Sequence, residues 1–130
     1  MNFIMYNFIK MLVDIIFDGV KYENYKFNMI TKEIISDFRK LPVVIEQLID
    51  ADGYFYVRLY NENLKPKKTK KITLHRLVYQ MYNKDEDIRG KHIVHVDGVK
   101  LNNNINNLKL KNKEVSTVNI ENDDEELIEL

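Results

Sequence analysis

"IVHVDGVKLNNNINNLKL", residues 93–110, decides how this chain is read. His95 stands between two valines, an Asp-Gly pair follows at 97–98, and five asparagines fall within 102–107. Two readings compete: an asparagine-rich turn that happens to contain a histidine, or a hairpin built to hold that histidine in place. "KHIVHVDG", 91–98, reads as a strand running into a turn, because Asp-Gly supplies positive φ cheaply. "NLKLK", 107–111, alternates and can return as the second strand, and "NKEVSTVNIEN", 112–122, can close the unit as a short helix. The order is strand, turn, strand, helix.

Working outward, "KKITLHRLVYQMY", 70–82, starts as a strand and becomes a helix. Leu74, Leu77, Val78 and Met81 share one face at i, i+3, i+4 and i+7. "VVIEQLIDADGYFYVRLYN", 43–61, reads as a β-hairpin turning at Asp50–Gly53, and "VKYENYKFNMI", 20–30, as a half-buried strand. "TKEIISDFRKL", 31–41, fits either a short helix or a strand, and Pro42 ends it. In the first twenty residues Ile4, Phe8, Met11, Leu12, Ile15 and Ile16 fall at helical spacing and predict one apolar stripe, facing the core or a partner. Asn2, Asn7, Lys10 and Asp14 interrupt that segment, so no apolar run approaches the ~20 residues that span a bilayer. It also lacks the charged start and small-residue cleavage site of a signal peptide. No membrane attachment is expected, and an intracellular protein is.

A composition with 45% hydrophobic and 31% charged residues predicts a folded domain and excludes a fibrous or disordered chain. The absence of cysteine excludes disulfides and thiolate zinc sites. Any metal must be held by His, Asp, Glu, Asn or water, which favours a hard divalent ion such as Mg²⁺ or Mn²⁺. Charge is unevenly laid out beneath a net value of zero. Residues 65–113 carry 13 basic and 4 acidic groups, whereas 114–130 carry 7 acidic groups and no basic ones. The middle zone has the electrostatic footprint of a polyanion binder. Its candidates for nucleic-acid contact are Lys65, Lys67, Lys68, Lys70, Lys71, Arg76, Lys100, Lys109, Lys111 and Lys113. The acidic tail can shield that surface or dock on a protein partner, as can the apolar N-terminus.

A histidine in a hairpin beside a short helix, with no cysteine, is the arrangement of a ββα-metal nuclease. "HRLVYQMY", 75–82, followed by 93–110, resembles the HNH endonucleases of phage, intron and large-virus type. His95, Asp97, Gly98, Asn102, Asn103, Asn107 and Leu108 all fall in register with that family's pattern. "YENYKF" with Asn28, 22–28, and "DADGYFYVRLY", 50–60, resemble the small β module that often precedes such domains. The resemblance covers roughly residues 20–120 and implies a virus-encoded DNA endonuclease. It implies His95 as general base, a role that imidazole's ordinary pKa near 6.5 suits. It also implies Asn107 as the asparagine that ties the hairpin together, and Asp97 as a turn-setting residue more than a ligand. His75 is expected to pack or hydrogen-bond.

The resemblance breaks at the metal. The residue before the family's histidine is usually Asp or Asn and ligates the ion; here it is Val94. The second ligand position falls on Ser116, and the substitutes are His92, on Val94's strand face, and Asn119 on the last helix.

The expectation is an α+β protein divided into an apolar segment, 1–19, a β-rich module, 20–64, a ββα-metal domain, 65–120, and an acidic tail, 121–130. Three functions stay open: an HNH-type endonuclease on double-stranded DNA, a catalytically degenerate DNA-binding module, and a structural or interaction protein.

Overall fold

A period of two governs residues 12–17 in the computed structural model, which describes residues 11–111. Strand β1, Leu12–Phe17, buries Ile15 and Phe17 and leaves Ile16 51% exposed. This corrects the helical stripe over Leu12–Phe17, its Ile4 and Phe8 lying outside the described residues: on a helix Ile15 and Ile16 would lie together, whereas on a strand they point to opposite faces. The cause lies just downstream. Asp18 and Gly19 both take positive φ, 51° and 76°, and join β1 to β2, Val20–Asn28, as a two-residue hairpin with Phe17 opposite Val20. Positive φ at both turn residues matches the right-handed strand twist.

Strands β3, Ile34–Ser36, and β4, Val43–Val44, complete an antiparallel sheet in the order β1-β2-β3-β4. The ambiguous 31–41 segment is therefore a strand where it is regular. The expected 43–61 hairpin is split. Val43–Val44 pairs with β3, and only β5, Leu48–Ile49, turns back onto β6, Phe55–Tyr60. β7, Thr69–Thr73, pairs with β6 to close a second sheet, β5-β6-β7. β-pairing thus crosses two of the expected boundaries, at 19/20 and at 64/65.

Helix α1, Leu74–Tyr82, follows β7 without a loop, and then come β8, His92–His95, a single 3-10 turn at Ile105–Asn107, and β9, Leu108–Lys111. Leu74, Leu77, Val78 and Met81 are all buried. They join one core with Ile15, Phe17 and Phe27 of the first sheet, Val57, Leu59 and Ile72 of the second, and Ile93 and Leu108 of the last hairpin. A nine-residue helix is marginal alone, so this burial is what holds it. Arg76 donates to the Ile88 and Lys91 carbonyls, and Gln80 donates to Asn83 and Glu86 carbonyls, sewing the 83–91 loop to the helix. Tyr25 accepts from the Tyr60 amide at 3.1 Å and fastens the first sheet to the second. No helix among the described residues is long and apolar enough to cross a membrane.

Leu77→Ala removes the centre of α1's buried face and should cost about 2–5 kcal/mol, read as a lower urea midpoint with an unchanged slope. An unchanged midpoint would show that the helix does not knit the three sheets.

Candidate functional site

The β8–β9 register places the site residues. His95 lies opposite Leu108 and Ile93 opposite Leu110, whereas His92 lies opposite Lys111 and Val94 opposite Lys109. Directly opposed residues share a face. Ile93 and Leu108 are buried, so His95 faces the core side, and His92, Val94, Lys109 and Lys111 share the outer side.

The turn between the strands is held by side chains. Asp97 Oδ1 accepts from the Val99 amide at 2.8 Å and from Asn107 Nδ2 at 2.9 Å, and its Oδ2 accepts from Asn102 Nδ2 at 2.8 Å. Asn107 Oδ1 accepts from the Asp97 amide, and its Nδ2 also reaches the Asn102 carbonyl, both at 3.0 Å. These contacts hold the Asp97 carboxyl below its ordinary range, Asn102 contributing most. Gly98, at φ 75°, supplies the conformation the turn requires.

Around His95 the fold gathers groups that the sequence reading did not place there. Asn103 is buried with its Oδ1 2.8 Å from His95 Nε2. With the amide oxygen as acceptor, Nε2 carries the proton and Nδ1 keeps its lone pair. His75, second residue of α1, lies 5.0 Å from the His95 ring, and Tyr54 stacks on His75 at 4.8 Å and on His95 at 5.9 Å. Tyr54 is delivered by the β5–β6 turn, where Asp50 Oδ1 accepts from the Asp52 and Tyr54 amides at 3.0 Å and its Oδ2 from Lys71 Nζ at 3.0 Å. Lys100 Nζ donates to the Asp52 carbonyl at 2.8 Å and sits 5.0 Å from the Tyr54 ring centre, clamping that turn to the hairpin. An open groove of about 500 Å³ runs alongside, lined by Tyr54, His92, Val94, His95, Lys100 and Lys111.

The expected basic residues divide. Lys100, Lys109 and Lys111 border or flank this groove, whereas Lys65, Lys67, Lys68, Lys70 and Lys71 lie exposed on the β6–β7 connection and on β7. Arg76 is corrected from a phosphate contact to a structural tie, because two of its nitrogens are engaged by carbonyls. Lys113, Ser116, Asn119, the closing helix, the acidic tail and residues 1–10 fall outside the described residues.

Residues 73–117 match the family model described as HNH endonuclease. The chain is 32% identical over 92 residues to an uncharacterized HNH endonuclease, L245, of Acanthamoeba polyphaga mimivirus, across 71% of this chain and 26% of that protein. The solved structure titled "DNA binding and cleavage by the HNH homing endonuclease I-HmuI" superposes with a TM-score of 0.59 at 26% identity, covering 84% of this chain and 61% of that one. All three similarities are to HNH endonucleases, and the family's model covers residues 73–117 of this chain. The chain spans about a quarter of the mimivirus relative's length.

HNH nucleases generally use a divalent metal, and the described residues do not fit one. Val94 offers no donor atom. Both Asp97 oxygens are spent on the turn, and no group of three or more His, Cys, Asp or Glu side chains suited to a metal exists among the described residues. His92 shares Val94's face but has two lysines opposite the pair.

Burial pushes the His75 pKa down to about 4, aided by His95 and Arg76 and opposed by Asp50. The unfolded imidazole titrates near 6.5, so between these values the unfolded chain binds a proton that the native chain refuses. Stability should be full above pH 6.5 and fall by on the order of 3 kcal/mol as pH drops toward 4. His75→Phe should flatten that slope in urea unfolding at neutral and acid pH; an unaltered slope would place the titration elsewhere. Asn107→Ala should cost about 1–3 kcal/mol, because it leaves the Asp97 amide and carboxylate without their turn partner.

Proposed function

We propose that this HNH-family chain binds double-stranded DNA along the β8–β9 groove and nicks it slowly in the presence of Mg²⁺ or Mn²⁺. The observation that carries the reading is His95 beside a cation-lined groove, with its Nε2 2.8 Å from the Asn103 Oδ1. A neutral imidazole so held can take a proton from a water aimed at phosphorus. Asn103 orients the ring, the stack of Tyr54 and His75 limits its rotation, and Lys100 and Lys111 supply backbone contacts that position DNA without reading its sequence. DNA binding and cleavage by I-HmuI supports the substrate class, and the mimivirus relative is likewise an HNH endonuclease. Slow turnover follows from Val94, since the described residues of the hairpin offer the ion no carboxylate or amide ligand beside His95.

A second reading, a DNA-binding protein on the same fold without cleavage, is favoured by that same valine. Plasmid nicking in Mn²⁺ separates the two. The parent protein should nick, and His95→Ala should abolish nicking while leaving affinity within a few-fold. Binding without any nicking in the parent would leave the second reading standing.

The lysines of the β6–β7 connection and of β7 give an independent check. Neutralising Lys67, Lys68, Lys70 and Lys71 should shallow the dependence of log affinity on log salt by about 3, not 4, because Lys71 is already paired with Asp50. A salt-independent interaction would remove the DNA-backbone reading.

A further inference from the structure

The disagreement between the family's metal chemistry and this hairpin points to what occupies the metal's place. Val94, at the position of the missing ligand, lies directly opposite Lys109 on β9, and His92, two residues back on the same face, lies opposite Lys111. Opposed side chains in an antiparallel pair have Cβ atoms roughly 4.5–5.5 Å apart. The outer face of the hairpin therefore carries two ammonium groups and an imidazole around an apolar gap, where a metal site would need carboxylate and amide oxygens. No carboxylate among the described residues pairs with Lys109 or Lys111. Lys111 also lines the groove that holds His95, so the cationic face and the base open onto one space.

We propose that Lys109, with Lys111, has taken over much of the electrostatic role of the metal: this face binds a DNA phosphate through ammonium groups and disfavours a dication, which leaves metal-supported nicking slow. The inference rests on the DNA-binding reading for its ligand, but the exclusion of metal does not. Its chemistry is simple. An ammonium neutralises a phosphate oxygen as a point charge without needing ligands from the protein. The same charge, about 5 Å from a bound divalent ion, disfavours that ion on the order of tenfold even at the dielectric of water. A carboxylate introduced at position 94 would meet Lys109 across the ladder and form an ion pair before it met a metal. Loss of the ligand and presence of the lysine are thus one coupled change, and reversing half of it restores nothing.

The test titrates Mn²⁺ alone, by electron paramagnetic resonance, into the full chain and into Val94→Asp, Lys109→Ser and the Val94→Asp/Lys109→Ser double variant. Positions 94 and 109 face outward, and circular dichroism checks that each variant is folded. The double variant should bind Mn²⁺ on the order of tenfold more tightly than Val94→Asp, which should differ little from the parent. Equal uptake by Val94→Asp and the double variant, including none in either, overturns the proposal. Binding of a labelled DNA duplex in EDTA supplies the second arm. Parent affinity should persist, and Lys109→Ser with Lys111→Ser should shallow the salt slope by about 2. An unchanged slope overturns the phosphate role. A parent that binds no DNA would remove the function proposed above, while the Mn²⁺ comparison would still decide whether Lys109 excludes the ion.

Discussion

Burial of one face of α1 is the interaction on which the rest of the molecule depends. None of the three sheets is self-sufficient: the last is a two-stranded hairpin, and such hairpins are marginal in water. The helix is too short to persist alone. Leu74, Leu77, Val78 and Met81 solve both problems together, because each sheet contributes side chains to the core that surrounds them. Position follows from the same packing. His75 begins the helix and lies against His95, so the element that closes the core also sets where the hairpin's histidine stands.

That hairpin divides its chemistry between two faces. Ile93, His95, Leu108 and Leu110 look toward the core, while His92, Val94, Lys109 and Lys111 look away. A slip of one residue would exchange the two sets, and the buried apolar members forbid it. His95 is consequently held by buried neighbours, Asn103 and His75, which change little without cost to the fold. The outer face bears no such constraint. A ligand can be lost there, and a lysine carried opposite it, with the base and its setting intact. Fold and metal chemistry are separable in this domain for that reason.

Much of the fold was legible because its signals are local. The i, i+3, i+4, i+7 spacing of 74–81 and the Asp-Gly turns at 52–53 and 97–98 act over a few residues, where chain geometry dominates. The N-terminal stripe misled over Leu12–Phe17, because apolar residues at 12, 15 and 16 satisfy a helical period as easily as a strand. The deciding signal was Asp18-Gly19 between apolar runs, which selects a hairpin. Val43–Val44 was assigned to the wrong partner because pairing choice is a matter of which edge is near, and pattern alone does not report it. At the site, the turn residues Asp97, Asn102 and Asn107 were visible in their spacing. Tyr54 and Asn103 were not placed beside His95, since one arrives from the β5–β6 turn about forty residues upstream and the other from inside an asparagine run. Arg76 looked like a phosphate contact on charge alone, and the carbonyls that engage it belong to a loop 12–15 residues later.

The sequence by itself determined the resemblance to HNH endonucleases, the hairpin that carries His95, the buried face of the following helix, and the valine where that resemblance calls for a ligand. Each is written in the spacing of a few neighbouring residues. Only the tertiary structure decided that His95 is held by Asn103 and stacked with Tyr54 and His75, that Arg76 is structural, and that Lys109 stands opposite Val94. Those facts depend on which distant segments are brought together when the core around α1 closes, and apolar burial, which drives that closure, is non-directional and leaves no local pattern in the chain.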